Sequence, residues 1–453
     1  MKFLTLITAS VALLVQQATS LTLDETSVES IYGAQALVAQ GLMDYYNGNQ
    51  TGQTPGMFSN PYYWWEAGVA WGTMLDYWYY TQNDTYVDII KSSMLFQTGK
   101  DWNYMPSNQT TTEGNDDQGY WGVTVMAAAE KNFSDPGPGN PSWLYLAQGV
   151  FNTMASRWDT QTCNGGLRWQ IFTWNGGYDY KNSVANGCLF HIGARLARYT
   201  GNNSYVDWAE RVWNWAEGVN FLNQTFVNQT FVYDGAYVEA NCTNVRNLEW
   251  TYNYGLFISG CAYLYNYTNQ TVWLDRLEML WSRGKVFFNE DGIMYEAACQ
   301  PSNQCNTDQR CFKGIYSRFL GLTMLLVPSL QDEIMPLIQS SAKAAAASCS
   351  GGTDGHTCGL NWFKNGWDGV WGLGEQICAL DTFNTLLINT RPGPLTEKSG
   401  GPSGGFGAAG LNSSDNVLTV DELTIGTKDK AGAGVITAIV IIGLLATSWW
   451  MLI

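Results

Sequence analysis

The sequence predicts an all-α protein built as a closed toroid of six helical hairpins, and three observations carry that expectation. First, a corner recurs: YTQNDTYV at 80–87, YTGNNSYV at 199–206 and YTNQTVWL at 267–274 each join an aromatic helix end, a polar Asn-containing turn and an aromatic that opens the next helix. Second, the corner spacings of 119 and 68, with restarts at 132–146 (NFSDPGPGNPSWLYL) and 327–338 (VPSLQDEIMPLI), give a period near 60. Residues 25–390, a body of 366, then hold six units of two helices with their connections. Third, the segments beside the corners have helical apolar spacing. GVAWGTMLDYWYY at 68–80 puts Val69, Leu75, Trp78 and Tyr79 on a broad apolar face, and LFHIGARLARY puts Ile192, Leu196 and Tyr199 at i, i+4, i+7. Period alone does not show closure, so an open superhelical solenoid is the alternative.

In chain order, residues 1–20 begin with Lys2, run through FLTLITASVALLV and end in Ala18-Thr19-Ser20, the pattern of a secretory signal peptide. The mature chain is expected to start near Leu21; a buried N-terminal helix is the competing reading. The toroid follows over 21–390. Eleven N-x-[ST] sequons (Asn49, Asn83, Asn108, Asn132, Asn202, Asn223, Asn228, Asn241, Asn266, Asn269 and Asn412) mark accessible loops. All ten cysteines lie between Cys163 and Cys378, and in an oxidising compartment disulfides are the expectation. Cys299, Cys305 and Cys311 are spaced like a metal knuckle but lack neighbouring His, so they too are read as disulfide partners. Residues 391–434, rich in Gly, Pro and Ser, read as a flexible stalk. The apolar run 435–453 has no Lys or Arg after it and follows a polar spacer with small residues near Gly426 and Ala431, as in a GPI-anchor signal. A spanning helix is the alternative, because 19 residues is long enough to cross.

Composition narrows the chemistry. With 23 Lys plus Arg against 39 Asp plus Glu, the net charge of −16 repels phosphate backbones, and no basic stripe offsets it, so no nucleic-acid partner is expected. His191 and His356 are the only imidazoles, which removes a His-rich zinc centre; a Ser-His-Asp relay would have to use one of them. His191, inside a helical pattern, reads as a core residue and His356 as a solvated one. No metal or cofactor is expected. Carboxylates remain, and Asp116 and Asp117 are adjacent in the polar loop PSNQTTTEGNDDQGYWG at 106–122, ahead of VTVMAAAE. Two like charges that close titrate together, raising one pKa. Glycosidic chemistry uses such a pair, one carboxyl protonating the leaving oxygen and the other attacking the sugar, about 5 Å apart in retaining enzymes. A helix cap would explain one acid rather than two. A metal-binding DDxxD site fails because Tyr120 stands at its fifth position.

NDDQGYW at 115–121 resembles the catalytic motif of glycoside hydrolase family 76, the endo-α-1,6-mannanases, and residues 25–390 resemble its GPI-anchored fungal wall branch. YYWWEAGVAW (62–71), GGLRWQI (165–171), NGCLFHIGARLARYTGN (186–202), TYNYG (251–255), KGIYSRFL (313–320) and GLGEQ (372–376) extend the likeness. The resemblance implies an (α/α)6 barrel and a retaining mannan endo-1,6-α-mannosidase with Asp116 as nucleophile and Asp117 as general acid/base; the motif requires both and does not by itself order the roles. It also implies a cell-surface and wall location, wall mannan or GPI-core glycan as substrate, and a β-glucan acceptor if the enzyme transfers rather than hydrolyses. Trp65, Trp121 and Trp169 are candidate sugar platforms. Arg168, Asn186, Asp234, Tyr252 and Asn253 are candidates for bonding hydroxyls, with a structural ion pair as the other reading of Arg168. The rival function is a non-catalytic, lectin-like wall toroid, which has no need of two abutting acids. A polysaccharide lyase is disfavoured by the scarcity of His.

Overall fold

The computed structural model describes residues 21–399, 404–406, 409–411 and 437. The signal peptide and anchor-signal expectations therefore fall almost wholly outside the described residues, as does Asn412. The chain divides into two units, Met1–Gly410 and Leu411–Ile453, and the fold below is that of the first.

Twelve α-helices form two rings among the described residues. The inner ring is α2 (Trp64–Thr81), α4 (Asn115–Glu130), α6 (Ser183–Thr200), α8 (Thr251–Thr268), α10 (Phe312–Leu326) and α12 (Leu373–Leu386). Each packs on the next, and α12 returns to α2, so the ring is closed and the open solenoid is excluded. The outer helices are α1 (Val28–Met43), α3 (Val87–Phe96), α5 (Trp143–Ser156), α7 (Ser204–Gly218), α9 (Thr271–Gly284) and α11 (Gln331–Ser348). Five hairpins are continuous in sequence; the sixth joins α12 to the N-terminal α1, so the two ends of the body close the circle. Two short ribbons, β1 (Tyr180–Asn182) with β4 (Gly235–Tyr237) and β2 (Leu222–Asn223) with β3 (Phe231–Val232), decorate the helices.

Ring position explains the sequence pattern. An inner helix is enclosed on all sides, and α6 buries 16 of its 18 residues, whereas outer α7 buries 6 of 15 on one stripe. Such enclosure needs small residues at close approaches. A Cβ on Gly119 of α4 would lie 2.5 Å from Cys188 Cβ of α6.

The recurring corner is a hydrogen-bond unit. Thr81, Thr200 and Thr268 each end an inner helix, and each hydroxyl donates to the carbonyl four residues back, at 2.6, 2.7 and 2.7 Å. The same hydroxyls accept the N–H groups of Asn83, Asn202 and Gln270. The intervening Gln82, Gly201 and Asn269 take left-handed backbone, which stops the helix.

Charged groups tie the inner helices inside the ring. Arg195 of α6 donates to Glu130 of α4 at 2.6 Å, and Tyr263 of α8 donates to the same carboxylate at 3.0 Å. Arg318 of α10 pairs with Asp381 of α12 at 2.9 Å and with Asp76 of α2 at 3.8 Å, and Lys131 also binds Asp76. His191 is buried against Phe319 with Nε2 3.2 Å from Ser259 Oγ, and burial pushes its pKa well down, so it is a neutral core residue. His356 is half-buried rather than solvated.

Two expectations need correcting. The cysteines do not all pair: disulfides join Cys163–Cys242, Cys299–Cys305 and Cys349–Cys358, while Cys188, Cys261, Cys311 and Cys378 are buried thiols. Cys311 thus leaves the group of three close in sequence, because it opens α10 and its sulfur turns to Asp308 O. Nor is the stalk free from residue 391 onward. Tyr79 donates to Pro392 O, Leu395 N–H to Glu130 O, Arg198 to Pro394 O and Ser142 to Gly404 O. Phe406 stacks on Tyr145 of α5 with an interplanar angle of 7°, and Asn152 donates to Ala409 O. The packed body therefore extends past residue 391, and the described residues Gly404, Phe406 and Ala409 lie against α5 as a strap. Of the ten described sequon asparagines, eight are exposed, with Asn83 and Asn223 half-buried. Among the described residues no helix is long and apolar enough to cross a membrane.

Candidate active site

Alternation of inner and outer helices sets every corner at one end of the toroid and the inner-helix N-termini at the other. There a cleft of about 690 Å³ opens, and five inner helices begin at it: Trp65 (α2), Asp116, Asp117 and Tyr120 (α4), Val184 (α6), Tyr252 (α8) and Phe312 (α10) line its wall. Helix N-termini present unpaired N–H groups and positive dipole ends, which suits a site rich in carboxylates.

The acidic pair is not in a loop. Helix α4 starts at Asn115, so Asp116 and Asp117 occupy its first turn, with Gly114 as N-cap. Asp117 reaches back to accept the Gly114 N–H at 2.6 Å, so it does serve as a cap. Asp116 makes no such reach: one oxygen accepts Trp169 Nε1–H at 3.0 Å, while the other makes no well-formed hydrogen bond and has only the N–H groups of Asp116 and Asp117 beside it. Only glycine fits at 114, because a Cβ there would overlap Asp116 Oδ1 and lie 3.1 Å from Trp169 O.

Trp169 arrives from the long segment between α5 and α6. Asn115 N–H donates to Trp169 O at 2.8 Å and Ile171 N–H to Glu113 O, which splices this segment onto the α4 N-terminus. Lys181, fully buried, donates to the carbonyls of Asp159, Thr162 and Gly165 and pairs with Asp159. Cys163–Cys242 pins the segment from the other side.

Burial raises both acids. Burial pushes Asp116 up to about 7, against the pull of its backbone and Trp169 donors. Asp117 is pushed well above the ordinary carboxylate range by burial and then by the neighbouring Asp116 charge. Glu113 also lines the cleft, is likewise raised by burial, and has no partner for either oxygen. Across the cleft Asp308 accepts Trp65 Nε1–H at 3.0 Å and is raised by burial. Among the described residues no three His, Cys, Asp or Glu side chains converge as a metal ion requires.

Of the residues singled out in the sequence, Asp116, Asp117, Trp65, Trp169, Asp234 and Tyr252 meet at the cleft. Trp65 rests against Tyr120 at 5.2 Å, and Tyr252 stacks on Phe312 at 3.9 Å, making an aromatic floor. Asp234 accepts from Tyr180 at 2.6 Å and Trp250 at 3.0 Å. Four others do not line it. Trp121 is fully buried between Tyr104 and Trp64, because a turn of about 100° per residue carries it off the face that Tyr120 presents. Arg168 pairs with Asp159 at 3.0 Å and donates to Tyr178 O, and so holds the Trp169 segment in place. Asn186 does the same by bonding both backbone groups of Leu167. Asn253 is wholly buried with no protein partner for its amide. Glu113, Tyr120, Asp179, Arg246, Trp250, Asp308 and Phe312 join the cleft without having been selected. Several of them sit just before or within the first turns of inner helices, a signal available once the cleft end of the ring is known.

Comparisons with known proteins concern the whole chain and its fold. The chain is 56% identical over 434 residues to the mannan endo-1,6-alpha-mannosidase DCW1 of Saccharomyces cerevisiae, covering 95% of this chain and 94% of that one. It resembles the crystal structure of Dfg5 from Chaetomium thermophilum in complex with glucosamine, with a TM-score of 0.83, 39% identity, and coverage of 86% and 98%. The fold extends to the α-1,6-mannanase GH76A of Salegentibacter, at a TM-score of 0.63 and 16% identity, over 79% of this chain and 98% of that one. The profile of glycosyl hydrolase family 76 matches residues 30–398, and the chain belongs to that family of glycosidases.

Proposed function

We propose that the protein cleaves α-1,6-mannosidic linkages with retention of configuration, in wall mannan or in the mannose-bearing core of a GPI glycan. The observation that carries this is the adjacent acid pair in the first turn of α4, facing the cleft with a different hydrogen-bond donor on each carboxyl. Asp116, in receipt of a Trp169 hydrogen bond, supplies the carboxylate that attacks the anomeric carbon. Asp117, in which burial and its neighbour favour the proton, donates it to the leaving oxygen and then withdraws one from the incoming water or sugar hydroxyl. The shared glycosyl-enzyme intermediate accounts for either hydrolysis or transfer to a β-glucan acceptor.

The cleft lining supports the GPI-core branch of the proposal. Glu113, Asp116, Asp117, Asp179, Asp234 and Asp308 face it, with Arg246 as its basic residue, so its oxygens offer many hydrogen-bond acceptors to the amine and hydroxyls of an amine-bearing sugar. The Dfg5 relative binds glucosamine. The signal-peptide pattern, the sequons and the apolar C-terminal run support a glycoprotein held at the outer cell surface by a GPI anchor and working at the cell wall.

Product analysis on α-1,6-mannan and on a GPI-core glycan, with and without β-glucan, tests the proposal. Shortened mannan indicates hydrolysis, and mannosyl-linked glucan formed only with acceptor indicates transfer. Asp117→Asn is expected to slow poor leaving groups most; equal loss on activated and unactivated mannosides would remove Asp117 from the acid role. Glycan binding without turnover, unaffected by Asp116→Asn and Asp117→Asn, would favour the lectin-like toroid.

A further inference from the structure

Outside the cleft, three exposed aromatic side chains lie close together on the segment between α11 and α12. Phe363, Trp367 and Trp371 are 43%, 38% and 56% exposed within nine residues. Single exposed apolar side chains are ordinary, but a contiguous group marks an interaction surface. Trp367 and Trp371 have ring centroids 5.7 Å apart at 46°, and Phe363 meets Tyr295 at 5.2 Å.

The segment is held rigid. Cys349–Cys358 closes its base, and Gly351 and Thr357 exchange backbone hydrogen bonds. The Asp368 carboxylate accepts the N–H groups of Leu360, Asn361 and Val370, and Trp367 N–H donates to Ser350 Oγ at 3.1 Å. Trp367 lies over Gly351, where a Cβ would overlap its ring. Aromatic faces fixed before a ligand arrives cost little ordering entropy on binding.

The end of the segment is tied to the chain that forms the cleft wall. Leu373, two residues after Trp371, donates its N–H to the Tyr62 hydroxyl at 3.1 Å. The next residue, Tyr63, is 52% exposed and lines the cleft.

We infer that Trp367 and Trp371 form an outlying glycan platform that binds the distal part of a long α-1,6-mannan chain whose reacting sugar lies in the cleft. Pyranose rings offer C–H faces to indoles and hydroxyls to indole N–H groups. The charge of the segment suits a neutral polysaccharide: Lys364 is its only Lys or Arg, beside Asp354 and Asp368, so it lacks the basic cluster that holds an anionic bilayer. The inference rests on the reading that the cleft takes a glycan, and its test separates the two.

The full chain and its Trp371→Ala and Trp371→Phe variants are compared on polymeric α-1,6-mannan, on β-1,3-glucan as acceptor and on mannotetraose. Trp371→Ala is expected to raise KM for polymeric α-1,6-mannan about tenfold and to leave mannotetraose kcat/KM within about twofold, with Trp371→Phe largely restoring the polymer value. A change confined to β-1,3-glucan overturns the assignment of mannan. Unchanged KM on both polymers overturns the platform, as does a loss confined to binding of phosphatidylserine-containing vesicles. If no substrate is turned over, polymer retention in affinity electrophoresis decides: retention weakened by Trp371→Ala supports the platform although the proposed activity fails, and equal retention overturns it.

Discussion

At the scale of the residue, the site is a problem of holding two abutting carboxyls in different protonation states. Sequence adjacency supplies the coupling, and the Gly114 N–H that Asp117 accepts is local, but the Trp169 N–H that Asp116 accepts comes from 53 positions away. Trp169→Phe removes the hydrogen bond that favours the ionised form of Asp116 while keeping an aromatic ring. The Asp116 pKa then rises further from about 7, and the acid limb of the kcat/KM profile moves to higher pH by about one unit. An unmoved limb would show that Asp116 does not set it. The residue scale is also where sequence reading loses most. Tyr120 and Trp121 are chemically similar neighbours, yet one floors the cleft and the other fills the gap between α2 and α4, a choice fixed by helix rotation. Arg168 and Asn186 have the polarity of sugar ligands and are used instead to hold the backbone that delivers Trp169.

At the scale of the element, the corners were legible because they are local: a terminal Thr, a left-handed residue and an Asn or Gln close α2, α6 and α8 within a few residues. The charged belt inside the ring was not, since its partners come from different helices. Arg195→Ala strands Glu130 in the interior, and the expected loss is about 3–5 kcal/mol of unfolding free energy, read by denaturant titration. A loss under about 1 kcal/mol would mean that the carboxyl is accommodated without its partner. The strap was misread for a compositional reason: Gly, Pro and Ser make flexible linkers, but they also let a chain lie flat on a helix. Gly410 packs against Gly149 so closely that a Cβ would lie 2.8 Å from its Cα. A chain truncated after Thr390 is therefore expected to melt about 2 °C or more below one ending at Leu411, in a thermal scan. Equal melting would return the segment to the role of a stalk.

At the scale of the whole molecule, closing twelve helices around one axis buries acids that an open solenoid would leave in water. Burial raises Glu296 to about 8 and Glu375 to about 7, and Glu66 well above its ordinary range. For a carboxyl whose folded pKa exceeds its unfolded value, the unfolded chain releases its proton first as pH rises. Stability from these groups is therefore greatest below the unfolded value of 4.5 and falls between there and about 8. The melting temperature is expected to drop from pH 5 to pH 8, and a rise across that window would mean that these acids are ionised in the folded protein.

The sequence by itself determined what local chemistry encodes: helices from apolar spacing, corners from turn residues, a period near 60 and an adjacent acid pair. Those features depend on side chains a few positions apart, so one strand of text contains both partners. Tertiary structure alone decided that α12 meets α2, which cysteines pair, and that Trp169 rather than Trp121 reaches the acids. Each of these joins groups distant in the chain, and ring closure together with the handed rotation of every helix brings them together or keeps them apart.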